Sequence, residues 1–164
     1  STNLISAIIS ARERILIMTP YFLPSTEMAS ALKIAALRGI DVRVVLPGKN
    51  NLPFIRWAAN HMLPELMNWG VKFFFHPPPF VHTKLLIIDD VYAQIGSANM
   101  DPRSLRLNFE LVVEIFDNHL VPNLADHIME KIFNAYETEP EALAGRSLPV
   151  KIRDALAWLF SPYL

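Results

Sequence analysis

Residues 85–88 read Leu-Leu-Ile-Ile, a run with no polar face, closed at once by Asp89 and Asp90. A strand whose side chains are apolar on both faces must be covered on both faces, so it belongs inside a layered α/β structure. Residues 15–22 (Ile-Leu-Ile-Met-Thr-Pro-Tyr-Phe) predict another buried strand that leaves into a loop, and residues 41–47 (Asp-Val-Arg-Val-Val-Leu-Pro) a further one. Helical patterns alternate with these strands. Ile5, Ile8 and Ile9 predict an opening helix that ends near Arg14. Ser25 fits an N-cap, with Glu27 in the first turn, Met28, Ala31, Leu32, Ala35 and Ala36 on a buried face, and Gly39 as C-cap.

A third helix is predicted over 53–68, then a strand over 71–75 running into Pro77, Pro78 and Pro79. Residues 91–95 are the expected hairpin partner of 85–88, turning at Asp89-Asp90. Residues 111–116 predict a last strong strand, and 120–137 a long helix. Residues 138–149 then form a polar loop, and 151–160 a short amphipathic segment. Alternation of this kind predicts an α/β fold with a mixed β-sheet sandwiched by helices.

Bulk composition narrows the function. The 164 residues make one domain-sized unit, and 52% apolar against 19% charged residues describe a folded chain with a genuine core. A net charge of −1 argues against a broad nucleic-acid footprint, which shows as a basic domain or stripe. The absence of cysteine excludes disulfides, Cys-zinc sites and thiol catalysis. No run reaches the ~20 apolar residues that a spanning helix needs. The chain opens directly in a helical pattern, as expected of a segment cut from a longer protein.

Residues 82–99 carry the chemistry. Their polar skeleton is His82-x-Lys84-x4-Asp89-x6-Gly96-Ser97-x-Asn99, six fixed residues that arise by chance on the order of once per million random chains. In an extended segment His82 and Lys84 project to one side. If 85–88 and 91–95 form a hairpin, the His-Lys end and the Ser97-Asn99 end lie side by side. An imidazole, an ammonium, a hydroxyl and an amide then converge, a set suited to phosphate. His82 would attack phosphorus or move protons, and Lys84 would neutralise the nonbridging oxygens. Asp89, the third residue of the motif, sits at a strand end and is expected to hold the backbone more than to act directly. Ser97 and Asn99 read as phosphate donors or as turn residues. Arg103 reads as a phosphate contact or as a solvent-facing helix-start residue. Asp89, Asp90 and Asp101 lack a partner at metal-ligand spacing, so neither a metal nor another cofactor is called for.

This skeleton resembles the signature of the phospholipase D superfamily, whose members transfer phosphoryl groups through a phosphohistidine. Further segments resemble the carboxy-terminal half of bacterial cardiolipin synthases: Thr-Pro-Tyr-Phe-Leu-Pro at 19–24, Ala-Ala-Leu-Arg-Gly-Ile-Asp-Val-Arg at 35–43, Leu-Pro-Gly-Lys at 46–49, Leu-Asn-Phe-Glu at 107–110 and Ser-Pro-Tyr-Leu at 161–164. The resemblance implies that 1–164 is one phospholipase D-like catalytic half-domain with a C-terminal helical tail at 150–164. It implies transphosphatidylation between two phosphatidylglycerol molecules with release of glycerol. His82, Lys84 and Asp89 would be the catalytic set, Lys84, Ser97 and Asn99 the phosphate contacts, and Glu110 the acid that orients a histidine. Two motif-bearing halves are needed, and only one is present, so the partner is a second half from the same polypeptide or an identical chain. A bacterial cell-membrane location follows, peripheral or through an anchoring segment absent from this chain, with no nucleic-acid partner.

Two phenylalanine-rich features bear on a lipid substrate. Phe73, Phe74 and Phe75 with residues 77–81 would frame an acyl-chain entrance, or belong to strand and core. Trp158, Leu159 and Phe160 would touch the bilayer interface, or pack on protein. Two rivals stand beside the lipid synthase: a homodimeric phosphodiesterase or nuclease of the same superfamily, and a non-catalytic fragment that binds anionic lipid.

Overall fold

The computed structural model describes residues 2–49, 51–79, 82–97 and 111–160. Helix α1 (Thr2–Ser10) leads into strand β1 (Arg14–Met18), α2 (Thr26–Leu37), β2 (Asp41–Pro47), α3 (Pro53–Asn68) and β3 (Lys72–His76). The hairpin β4 (Leu85–Ile88) and β5 (Tyr92–Gly96) follows, then β6 (Val112–Ile115), α4 (Leu120–Phe133), β7 (Tyr136–Glu137), α5 (Pro140–Ala144) and α6 (Leu148–Leu159). The seven strands form one mixed sheet in the order β6-β5-β4-β1-β2-β3-β7. Strands β1, β2 and β3 are parallel; β4 runs antiparallel to β1, β5 to β4, β6 to β5, and β7 to β3.

Side-chain alternation along the strands feeds two cores. Ile15, Ile17, Val42, Val44, Phe73, Phe75, Leu86 and Ile88 pack under α1, α2 and α3. Leu16, Met18, Val45, Phe74, Leu85, Ile87 and Ala93 meet Val121, Ala125, Ile128 and Ile132 of α4 on the other face. All four residues of β4 are buried because each face has its own helical cover. The phenylalanines of β3 belong to these cores, at 0%, 8% and 2% exposure for Phe73, Phe74 and Phe75. They do not frame an acyl-chain entrance.

Local signals hold where the sequence is unambiguous. Ser25 caps α2, its Oγ accepting from the Met28 amide at 3.3 Å, and Gly39 follows α2 at φ 86°. Asp89 and Asp90, with φ of 51° and 55°, are the left-handed centres of a turn closed by the Val91 amide donating to the Ile88 carbonyl at 3.2 Å, and Val91 completes a three-residue loop before Tyr92 pairs with Ile88. Elsewhere the boundaries move for non-local reasons. Helix α1 stops at Ser10 rather than near Arg14, because the Asp89 carboxylate captures the amides of Arg12, Glu13 and Arg14 and turns the chain into β1. The helix expected over 120–137 ends at Phe133. Tyr136 and Glu137 instead pair with β3, and Tyr136 stacks on Phe75 at 5.6 Å. The loop expected over 138–149 contains α5, and the tail helix begins at Leu148. The last strand expected over 111–116 forms at Val112–Ile115, with mostly exposed side chains.

Candidate active site

The carboxyl ends of β1, β2 and β3, the amino end of β4 and the carboxyl end of β5 all reach one edge of the sheet. Met18 pairs with Leu85, and Leu85 with Ile95. At the next position the Gly96 amide donates to the Lys84 carbonyl at 3.4 Å. On the far side Pro47 pairs with His76, and the Gly48 amide donates to the His76 carbonyl at 2.7 Å. In open α/β sheets ligands gather outside the carboxyl ends of the strands, where side chains and loops are free of the ladder.

His82 and Lys84 stand at this edge. Lys84 is only 8% exposed, and its Nζ lies 2.8 Å from His82 Nδ1, 3.3 Å from Nε2 and 3.0 Å from the His82 carbonyl oxygen. An ammonium can only donate, so the contact requires an unprotonated ring nitrogen. Desolvation, and then the positive charge of Lys84, hold the His82 pKa below its ordinary 6.5. Both effects favour the neutral ring, the form able to attack phosphorus or accept a proton. The ring is otherwise exposed and lies edge-on to Tyr21, with centroids 6.0 Å apart.

Ser97 follows β5 directly, next to the Lys84 end of β4. Its Oγ accepts from the Leu111 amide at 3.0 Å, and its own amide donates to the Leu111 carbonyl at 2.9 Å. Gly96 makes this approach possible: a Cβ there would come within 2.1 Å of the Leu111 carbonyl oxygen. Gly96 thus lets β5 approach the start of the next strand closely. Asn99, Arg103 and Glu110 lie outside the described residues, as do Phe80, Val81 and 161–164.

Asp89 is not at this edge. It follows β4 at the opposite end, where Oδ2 accepts from the Arg12 amide at 2.8 Å, and Oδ1 from Glu13 at 2.8 Å and Arg14 at 3.0 Å. Beside it Asp90 forms an ion pair with Arg14. A groove of about 790 Å³ opens at this end, lined by Ser10, Arg12, Asp89, Tyr92, Glu114 and Phe116. The groove contains neither His82 nor Lys84, so it and the His–Lys pair lie at opposite ends of β4.

Sequence reasoning did not single out two further groups. Tyr21 supports the His82 ring and donates its hydroxyl to Asn51 Oδ1 at 2.8 Å. Arg56 donates to the Pro47 and Gly48 carbonyls at 3.1 and 3.2 Å and lies 4.4 Å over the Phe75 ring, fixing the loop after β2. Burial lowers the Arg56 pKa below its usual value. Both residues lie in stretches 26 or more positions before His82, where spacing carries no signal; their sole local sign was a place just beyond a parallel strand. Among the described residues no cluster of three or more metal-capable side chains forms.

A mixed sheet between helices, with an imidazole and an ammonium paired at its carboxyl edge, defines a phospholipase D-like α/β domain. The fold agrees with solved members of that group. The phospholipase D family member Nuc from Salmonella typhimurium superposes with a TM-score of 0.72 at 26% identity, over 84% of this chain and 90% of that one. Phosphatidylserine synthase from Haemophilus influenzae shares the fold with a TM-score of 0.77 at 15% identity, over 98% of this chain and 44% of that one. Residues 4–134 match the family model described as cardiolipin synthase, PLD-like domain, and the chain belongs to that family. Cardiolipin synthase of Listeria monocytogenes is 41% identical over 160 residues, 98% of this chain and 33% of the relative. The chain thus spans about a third of the length of the curated relatives it matches.

Proposed function

We propose that this chain is the carboxy-terminal catalytic half of a cardiolipin-synthase-like phosphatidyltransferase. The observation that carries this is the Lys84 ammonium 2.8 Å from a neutral His82 ring, beside the Ser97 end of the neighbouring strand. Such a pair gives a phosphodiester both a cationic seat and a nucleophile or base. In the reaction, one histidine attacks phosphorus of the first phosphatidylglycerol and the P–O bond to glycerol breaks. The second histidine delivers a proton to the departing glycerol. It then removes the hydroxyl proton of a second phosphatidylglycerol, whose oxygen attacks phosphorus as the P–N bond breaks, giving cardiolipin.

His82 is one of the two histidines, the acid and base partner when paired with an unlike half and either one when paired with an identical chain. Lys84 holds the nonbridging oxygens, with Ser97 and Asn99 as further donors. Glu110 orients the imidazole, and Asp89 keeps β4 in place from its other end. The phospholipid substrate implies peripheral contact with a bacterial membrane. Among the described residues no helix is long and apolar enough to cross one.

The test is glycerol release from phosphatidylglycerol by an assembly that contains this half, with and without His82→Ala. Release that depends on His82 supports the assignment, and release unaffected by the substitution removes it. A second reading, a phosphodiesterase built from two identical chains, draws on the match to Nuc, 90% of whose chain is covered by this one. Salt-sensitive DNA cleavage by a stable dimer of this chain would favour it.

A further inference from the structure

The segment Thr-Pro-Tyr-Phe-Leu-Pro at 19–24 leaves β1 at the catalytic edge and takes no part in the chemistry above. It is pinned along its length. The Thr19 amide donates to the Val45 carbonyl at 3.2 Å, beside the last β1–β2 pair. The Thr19 hydroxyl, on a residue 1% exposed, donates to the Tyr21 carbonyl at 3.0 Å. Phe22 enters the core under α2 and α3, its ring centroid 5.5 Å from that of Phe73. Leu23 packs with Ala58 and Ala59 of α3. Backbone fixed on both sides of a residue leaves its side chain little choice of direction.

Tyr21 is that residue, and it is 8% exposed. Its hydroxyl donates to Asn51 Oδ1 at 2.8 Å, so the far end of the ring is tied to the chain just before α3. The ring meets the His82 imidazole with centroids 6.0 Å apart and planes at 81°, a favoured edge-to-face arrangement. His82 needs such a neighbour. It is exposed and stands outside the strand ladder, where side chains commonly hop between rotamers within nanoseconds. Lys84 does not choose the ring's orientation, because its Nζ reaches both nitrogens, at 2.8 Å and 3.3 Å. A buried aromatic ring, anchored at its hydroxyl, is a wall that does.

We propose that Tyr21, held through its hydroxyl by Asn51, is a positioning residue that keeps the His82 imidazole aimed at a phosphodiester seated on Lys84. It acts through the histidine and not on the reacting atoms. A reacting group misplaced by about 1 Å loses on the order of 10²-fold in rate, so a fixed wall at the ring bears directly on turnover. The inference rests on the phosphatidyltransferase reading above, which it deepens by saying what aims the imidazole. A direct contact between Tyr21 and the substrate headgroup is the competing role.

The first arm of the test is glycerol release from phosphatidylglycerol by an assembled protein containing this half, each variant measured well below its melting temperature. Expected for Tyr21→Leu is a fall in kcat of about tenfold or more, with KM within about twofold of wild type. Tyr21→Phe keeps the ring and should recover to within about threefold of wild type. Asn51→Ala should lose as much as Tyr21→Phe, and the two together no more than either alone, because each removes the same hydrogen bond. An unchanged kcat in Tyr21→Leu overturns the inference. So does a loss carried by KM, which makes Tyr21 a substrate contact, or an additive loss in the double variant. The second arm is NMR of the chain, reading the couplings across the His82 Cα–Cβ bond. A single rotamer is expected in the wild type, averaging in Tyr21→Leu, and restoration in Tyr21→Phe. A residue that only stabilises the fold would lower the melting temperature and leave these couplings unchanged. Averaged couplings in the wild type overturn the inference, as do unchanged ones in a folded Tyr21→Leu. Glycerol release that does not depend on His82 would sink the transferase reading alone, and the couplings would still decide for or against Tyr21.

Discussion

The two ends of β4 do opposite work, although Lys84 and Asp89 belong to one motif and stand only five positions apart. At the Lys84 end His82 is exposed, and its ring meets a cation that lowers its proton affinity. At the Asp89 end the carboxylate is fully engaged, accepting from three consecutive backbone amides, and the next residue is ion-paired. An anchoring group uses its hydrogen-bonding capacity on the protein itself. The four residues between Lys84 and Asp89 are the length of a strand, so the motif's spacing measures a crossing of the sheet. It joins the His82–Lys84 edge to the carboxylate that anchors the other end of β4.

The largest separation of the two ends comes from His82→Ala in an assembled, active protein. Turnover is expected to fall by at least ~10³-fold, as for removal of a nucleophile or an acid-base group. The melting temperature should hold, because the side chain is exposed. Single-turnover kinetics beside thermal melting reads both, and a large drop in melting would erase the distinction. Gly96→Ala comes next, through stability: its Cβ would lie 2.1 Å from the Leu111 carbonyl oxygen, backbone that cannot yield cheaply. A loss of about 3 kcal/mol in urea unfolding is expected, and a neutral result would show that β6 does not start where it is placed.

Asp89→Ala is smaller again, about 2 kcal/mol, in the range of a lost helix cap, because three partly exposed amides lose their acceptor. Its activity, measured well below the melting point, should stay within about tenfold of wild type. If Asp89→Asn instead removed ~10³-fold of the turnover without touching stability, the anchoring role would be wrong and Asp89 would belong with His82.

How much of this was legible in the sequence depended on chain distance. The β4–β5 hairpin, its Asp-Asp turn and the adjacency of Lys84 to Ser97 all lie within sixteen residues, and local patterning specified them. The Ser25 cap and Gly39 stop of α2 were equally local. What the sequence hid was set from afar. Helix α1 ends early because Asp89, some 75 positions later, takes its neighbours' amides. Helix α4 ends early because Tyr136 and Glu137 complete the edge of β3. Tyr21 reaches His82 across sixty residues, and Arg56 reaches the end of β2 from inside a helix. The phenylalanines of β3 left two readings open for another reason: an apolar run beside a motif looks the same whether it lines a substrate channel or fills a core. Burial alone decided for the core.

The finest probe of the reactive end is the proton affinity of His82, which two causes lower: burial first, then the charge of Lys84. Lys84→Met keeps most of the side-chain volume and removes only the charge. The His82 pKa should therefore rise in that variant, yet stay below 6.5 because the desolvation remains. Salt separates the two causes further. Raising ionic strength screens the Lys84 charge and should move the wild-type pKa upward, while the Lys84→Met value stays nearly fixed. The sign follows for stability as well: with a folded-state pKa below the unfolded value, His82 contributes fully above 6.5, and the contribution fades as pH falls through the folded value. NMR titration of the isolated chain, with His82→Ala to assign the resonance, measures this without any need for the second half. A wild-type pKa above 6.5 would mean that a carboxylate outweighs Lys84 at the ring, and His82 would then be a ready acid rather than a ready nucleophile or base.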